Sequence, residues 1–501
     1  MTRRVGSGQL RALVALRWRM VRSTRTRLGL GAMLAVLPCL CALAVVVGAS
    51  LPGDYRAEVL LLLPSALLGL ALLTLLAPLT VGGANELFPP DQLLAYPVRP
   101  STHFLAGLLL APLNLAWGTQ LVFLVGAVAY AAAGTGVTAP GLIGVLVYVG
   151  AVTVLGQAVA WGIVGVRHTK GGRWVTWAMA GALLLTLGWL VRAGRLTSVL
   201  DESPTRHVVI GVLRPPDWRW LATNGALLAS SAAALLCGLL LCAWATRRTG
   251  EVHAGPEFAP VRRRAARSAV FAELVAVDRA SVTRSRPLRR GLLVLGVLPG
   301  LIAAISGLGW ADLSLLPGLV AAGAGLLFGV NAFALDGSGA LWLATLPHSP
   351  TAVLLAKVRT TAEVCVVAVL GTLAGGMLRA PGAPSAAELS ALCCAVVSSV
   401  LVVTATCARL SVTRPHRADL RHARDAPAPP ATMAVYSTLL ALRTTLLGLG
   451  FALLARTGDP LMPILAVVPV TLLTLRSLLG TFRLWSNPTS RAHVVTTVAV
   501  G

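Results

Sequence analysis

Long apolar runs alternate with short polar breaks along the whole chain. About twenty apolar residues are needed to cross a hydrocarbon core roughly 30 Å thick. Runs of that length fall at about 28–50, 57–82, 103–132, 140–166, 174–192 and 221–246. They recur at about 291–310, 313–335, 352–378, 389–408, 433–455 and 460–480. The pattern predicts an all-α polytopic membrane protein of about twelve transmembrane helices.

Two segments break this pattern in the same way. Leu10, Leu13, Val14, Trp18 and Val21 recur at near-helical spacing, with Arg11, Arg19 and Arg22 elsewhere on the wheel. Phe271, Leu274, Val275 and Val282 repeat that spacing just before the seventh run. Each reads as an amphipathic helix at the membrane surface.

An elbow also occurs twice. Leu93-Leu94-Ala95-Tyr96-Pro97-Val98-Arg99-Pro100 separates the second and third runs, and Leu343-Ala344-Thr345-Leu346-Pro347-His348-Ser349-Pro350 separates the eighth and ninth. At an offset of 250, Leu93, Pro97, Pro100, Leu105 and Ala106 fall on identical residues, and Glu86 falls on Asp336. The surface helices align at an offset of 261, carrying Val36-Leu37-Pro38 onto Val297-Leu298-Pro299. Each half therefore reads as a surface helix, two spans, an elbow and four spans. An even number of spans makes the halves parallel repeats. The expected organisation is a first six-span repeat at 1–246, a basic linker at 247–268, a second repeat at 269–482 and a tail at 483–501.

Charge sets the orientation. The chain is 56% apolar, only 12% charged and carries a formal charge of +24. With the N-terminus in the cytoplasm, 33 of the 42 Lys and Arg lie on the cytoplasmic side, 8 lie outside and Arg443 falls within a span. That is the asymmetry of a cytoplasmic-membrane protein. It accounts for the charge without nucleic acid, and places both termini and both elbows in the cytoplasm. Contact with anionic membrane lipids is expected.

Few residue patterns here carry chemistry. There is no Gly-Lys dipeptide, so a phosphate-binding P-loop of the usual form is excluded. The eight cysteines all sit in apolar runs without metal-ligand spacing, and no catalytic or metal site is predicted. The N-terminus stays Arg-rich too long for a cleavable signal peptide. Two ionisable groups fall in the spans: Glu363, four residues after Arg359, and Arg443, which can either snorkel or line a cavity. The elbows are the functional candidates. Two prolines three apart stop a helix and fix a stiff turn, which can pass force from a partner to two spans.

At the surface helices and elbows the chain resembles the permease subunits of type 2 ABC exporters, in the fused two-repeat form of high-GC Gram-positive bacteria. The resemblance implies that each elbow is a coupling helix docked on a separate ATP-binding subunit, two copies in all. Glu86, Asp91, Tyr96, Pro97, Arg99 and Pro100 would meet one copy; Asp336, Leu346, Pro347, His348 and Pro350 would meet the other. The chain would bind no cofactor and hydrolyse nothing, ATP being used by the partner, and a lipophilic substrate would be exported. Residues 193–220 fit the outer re-entrant segment of that family, which the short turn at Gly458-Asp459-Pro460 does not repeat. Two other functions stay open from the residues alone: an ion-coupled secondary transporter of six plus six spans, and a membrane enzyme acting on lipid-linked substrates, for which Asp201-Glu202 is the lone acidic pair.

Overall fold

The structure is a computed structural model, and it describes residues 9, 11, 12, 15, 24–81, 98–109, 115–167, 169, 171–195, 198, 199, 202–248, 269–418, 420 and 427–500. Leu10, Leu13, Val14 and Trp18 of the first surface helix lie outside the described residues, as do Glu86, Asp91, Tyr96 and Pro97 of the first elbow. The described residues are helical, with no strand among them. The chain divides into two compact units, Met1–Gly255 and Pro256–Gly501. Eight described helical segments are long and apolar enough to cross a membrane. The protein is a polytopic α-helical membrane protein.

The first unit contains α1 (Thr24–Ser50), α2 (Arg56–Val81), α3 (Pro100–Leu109), α4 (Leu115–Ala131), α5 (Thr138–Arg167), α6 (Gly172–Arg192), α7 (Pro204–Val212) and α8 (Trp218–Arg248). Its core joins Leu63, Leu67 and Leu70 of α2 to Leu124 and Val128 of α4 and Val145 and Val149 of α5. Buried polar groups are tied across helices, as hydrocarbon demands. Tyr148 donates to the Leu67 carbonyl at 2.9 Å, and Tyr130 donates to the Pro52 carbonyl at 2.9 Å. The short α7 sits in the predicted outer loop. It presses on α5 at Gly144, where a Cβ would lie 2.3 Å from Val212.

The second unit contains α9 (Val270–Arg284), α10 (Arg286–Ser306), α11 (Trp310–Leu313), α12 (Leu316–Leu327), a 3₁₀ segment (Gly329–Leu335), α13 (Gly339–Thr345), α14 (Pro350–Met377), α15 (Ala386–Thr413), α16 (Pro430–Ala455), α17 (Leu461–Ser486) and α18 (Pro488–Val500). The α10–α14 crossing is built on two glycine pairs. Gly296 and Gly300 lie one turn apart on α10, Gly371 and Gly375 one turn apart on α14, and the backbones touch where they meet. Small residues at this spacing let helices approach closely in a membrane. Thr372 adds a 3.0 Å bond to the Leu295 carbonyl.

One element differs from the sequence expectation. The run at 313–335 is not one helix. It breaks at Phe328, and Asn331 has non-helical backbone angles. Two freed backbone groups are recaptured, as Ser411 donates to Gly329 O at 3.0 Å and accepts from Ala332 N, and the Asn331 side chain ties the break to the following loop, its Nδ2 donating to the carbonyls of His416 and Pro427. The tail after α17 forms the helix α18.

Both units pair their helices alike. The first long helix packs on the third (α1 on α4, α10 on α14), the second on the fourth (α2 on α5, α12 on α15), and the fourth on the last (α5 on α8, α15 on α17). The prolines matched in sequence, Pro38 and Pro299, each lie inside the first long helix of their unit.

Candidate functional site at the second elbow

The chain reaches the second elbow through Asp336 and reverses at Gly337, whose φ of +51° is a left-handed conformation suited to glycine. One short helix, α13, follows. Leu346 is extended before Pro347, as a residue preceding proline prefers. Ser349 then caps α14, its hydroxyl accepting from Ala352 N at 3.3 Å, with Pro350 in the first turn. His348 folds back on α13, its Nε2 lying 2.7 Å from the Leu343 carbonyl. Trp342 is 69% exposed and Leu341 42% exposed, so α13 presents an apolar edge. Pro347 and Ser349 are exposed, while Leu346, His348 and Pro350 are half-buried.

The glycine register shows how far α14 reaches past the start of α10. Gly296 meets Gly371 and Gly300 meets Gly375 in parallel helices, so the first residue of α10 lies level with Thr361 of α14. Eleven residues of α14 precede Thr361, or roughly 16 Å of helix at 1.5 Å per residue.

That projecting turn holds a buried ion triad. Lys357 Nζ donates to Asp278 Oδ1 and to Asp336 Oδ1, each at 2.6 Å. The Lys357 side chain is 6% exposed, and its ammonium lies 5.9 Å from the centre of the Phe333 ring. One residue of α14 thus clamps the surface helix α9 and the entry to the elbow together. Burial is the largest influence on the Asp278 carboxyl and raises its pKa, Lys357 opposes this and Asp336 adds to it. Nearer solvent, Arg279 Nε donates to Glu363 Oε2 at 2.6 Å, and Arg359 Nε donates to Glu363 Oε1 at 3.0 Å. Glu363 is therefore a bridging acceptor between α9 and α14 as well as the partner of Arg359.

Val275 and Val282 of α9 are buried and Phe271 and Leu274 half-buried, with the Arg359 guanidinium 5.7 Å from the Phe271 ring. Arg443 reaches back to Thr406 on α15, its Nη1 donating at 2.8 Å.

In the first elbow, Arg99 is exposed and Pro100 half-buried at the start of α3. The offset of 250 continues into burial. Phe104 and Leu354 are both 0% exposed, Leu105 and Leu355 are 39% and 45%, and Ala106 and Ala356 are both 1%. The carbonyl of Pro100 accepts from Cys242 Sγ on α8 at 3.2 Å, and that of Pro350 accepts from Trp485 Nε1 on α17 at 2.6 Å. Each elbow's second proline is thus tied to the last long helix of its own unit.

In the sequence Asp278 and Lys357 have no role beyond their place among the charges of the cytoplasmic side, and nothing there singles out Trp485 or the contacts of α18. The one mark on Lys357 is its rarity, since it and Lys170 are the only lysines in an Arg-rich chain. No metal-competent group of His, Cys, Asp and Glu occurs among the described residues. No protein-family model matches this sequence, and no curated protein or solved structure matches it.

Proposed function

We propose that this chain is the membrane-spanning subunit of an ATP-driven exporter of the type 2 ABC class. On this reading its twelve spans form two parallel six-helix repeats in the cytoplasmic membrane. Both termini and both elbows face the cytoplasm. Two copies of a separate ATP-binding subunit dock on the elbows and hydrolyse ATP, and a lipophilic substrate crosses between the repeats. The chain supplies no catalytic residue and binds no cofactor itself.

One observation carries this reading: the two elbows share a local arrangement. Each restarts a helix at a proline whose carbonyl is held by the unit's last long helix, with the same sequence of buried and exposed residues behind it. A turn that merely ends a span needs none of this. A turn that transmits displacement needs a stiff joint to more than one span, and the second elbow has joints to α9, α14 and α17. On this reading Asp336, paired with Lys357, serves the joint, and the exposed Trp342, Leu341 and Pro347 serve the docking face.

The test is purification in mild detergent from the native membrane. The reading expects an ATP-binding subunit to come with the chain in a two-to-one ratio, and the share of that subunit to fall in Trp342→Asp, which alters the second elbow alone, without loss of the folded chain. Normal transport in cells lacking every such subunit overturns it.

A further inference from the structure

The last helix, α18, follows α17 across a single capped turn. Asn487 Oδ1 accepts from Thr489 N at 3.0 Å, and Pro488 occupies the first helical position. The helix then folds back along the elbow. It packs on α13, on α15, on α17 and on the 3₁₀ segment. Val494 is 0% exposed and Val498 2%, and they lie one turn apart on the same face. They join Phe333, Val353, Leu354, Val412 and Trp485 in one apolar cluster, with Leu343 of α13 packed against it. Trp485 stacks on Phe333 with ring centres 4.7 Å apart and planes 18° from parallel. At its far end the Val500 carbonyl accepts from Arg417 at 3.1 Å.

We propose that α18 is a brace that fixes the second elbow to α17, so that displacement of α13 is passed to a span instead of being lost in the turn. The joint made by Trp485 and Pro350 reaches the elbow only where it enters α14. The α13 side of the turn, which carries Trp342, is held from beneath by α18 and by the His348 ring. Seven residues of helix cannot hold themselves straight in water. Without Val494 and Val498 the underside of α13 would lose its apolar support. Val494 and Val498 are positioning residues on this account; they touch no partner and no substrate.

The brace itself is independent of what docks on the elbow, but its role in coupling rests on the reading above. Three variants test it: a stop at Pro488, Val494→Asp/Val498→Asp, and the conservative Val494→Ile. Hydrogen exchange in lipid nanodiscs reads the brace directly. Amides of 339–346 should exchange at least tenfold faster in the first two variants and at the wild-type rate in the third. Those of α10 and α16 should be unchanged, which also shows that the unit is folded. Unchanged exchange in 339–346 overturns the brace whatever the partner is. Where an ATP-binding subunit co-purifies with the wild type, chain-stimulated ATP hydrolysis reads the coupling. Its kcat should fall about tenfold in the first two variants, with KM for ATP and retention of the subunit unchanged. Undiminished kcat overturns the coupling role. Failure of any ATP-binding subunit to bind the wild type overturns the exporter reading instead, and leaves the exchange result to decide the brace.

Discussion

The indole of Trp485 donates a 2.6 Å hydrogen bond to the carbonyl of Pro350, joining the last long helix of the second unit to the point where its elbow becomes α14. The bond adds a second donor to a carbonyl that, at the start of a helix, already faces the N–H four residues on, a carbonyl oxygen having two lone pairs to share. The same ring stacks on Phe333 just ahead of the elbow, so one side chain holds both arms of the turn.

Two substitutions separate these roles. Trp485→Phe keeps an aromatic face for Phe333 and removes the donor. It should cost about 1 kcal/mol, the net worth of a typical hydrogen bond. Trp485→Ala removes the packing as well and should cost about 3–5 kcal/mol. Thermal unfolding in detergent, followed by a probe on the second unit, should show a small and a large fall in that order. Equal falls would mean that the hydrogen bond alone fastens the joint.

Lys357 is the second fastening, and its loss should be severe. Lys357→Met leaves the carboxylates of Asp278 and Asp336 buried with no counter-charge, and removing one partner of a buried pair costs about 3–5 kcal/mol. The double variant Lys357→Met/Asp278→Asn should recover part of that loss, because one of the stranded charges is gone. By contrast, Arg279→Ala removes an ion pair whose cation is 50% exposed and screened by water, and should cost far less than Lys357→Met. A double variant no more stable than Lys357→Met alone would show that the charges are not the source of the penalty.

The same triad gives a pH dependence. The Asp278 carboxyl is held above the usual carboxylate range, chiefly by burial. An acid with a raised folded pKa favours the fold in its protonated form. Its contribution is fully present below the ordinary carboxylate value and is lost as pH rises through the raised one. The wild type should therefore lose stability relative to Asp278→Asn as pH climbs above the ordinary carboxylate range. Melting temperatures of the pair across that range are the check; a constant gap between them would contradict the assignment.

Much of this arrangement was legible in the residues, and what was not has identifiable causes. The elbows were visible because proline leaves a signature at any burial, and the offset of 250 carried from Leu93–Pro100 into the burial of Phe104 and Leu354. The break at Phe328 was hidden because the run around it stays apolar; Asn331 was the one polar residue to mark it. The triad was hidden because its acids lie 58 positions apart at Asp278 and Asp336, on segments brought together only by the fold. The helix α18 was hidden because Thr, Ser, Arg and His at 489–497 read as a polar tail, and two valines one turn apart are a weak signal against that background.

The glycine crossing of α10 and α14 sets the height of the elbow, and it can be tested by a single carbon. A Cβ on Gly300 would stand 2.2 Å from the Thr372 carbonyl oxygen, a backbone atom that cannot turn aside. Gly300→Ala should force the helices apart and cost about 1–3 kcal/mol, the usual penalty for overpacking. Gly225 in α8 is the matched control, with nothing within 4 Å of a Cβ added there. Gly225→Ala should be neutral or stabilising by up to about 1 kcal/mol, since alanine restricts the unfolded chain and favours helix. Because Thr372 also bonds the Leu295 carbonyl, separating the helices at Gly300 should loosen that bond as well. Hydrogen exchange would then rise along α10 in Gly300→Ala and stay unchanged in Gly225→Ala. A Gly300→Ala protein as stable as the wild type would mean that the two helices do not meet at this register, and the roughly 16 Å projection of α14 drawn from it would fall with it.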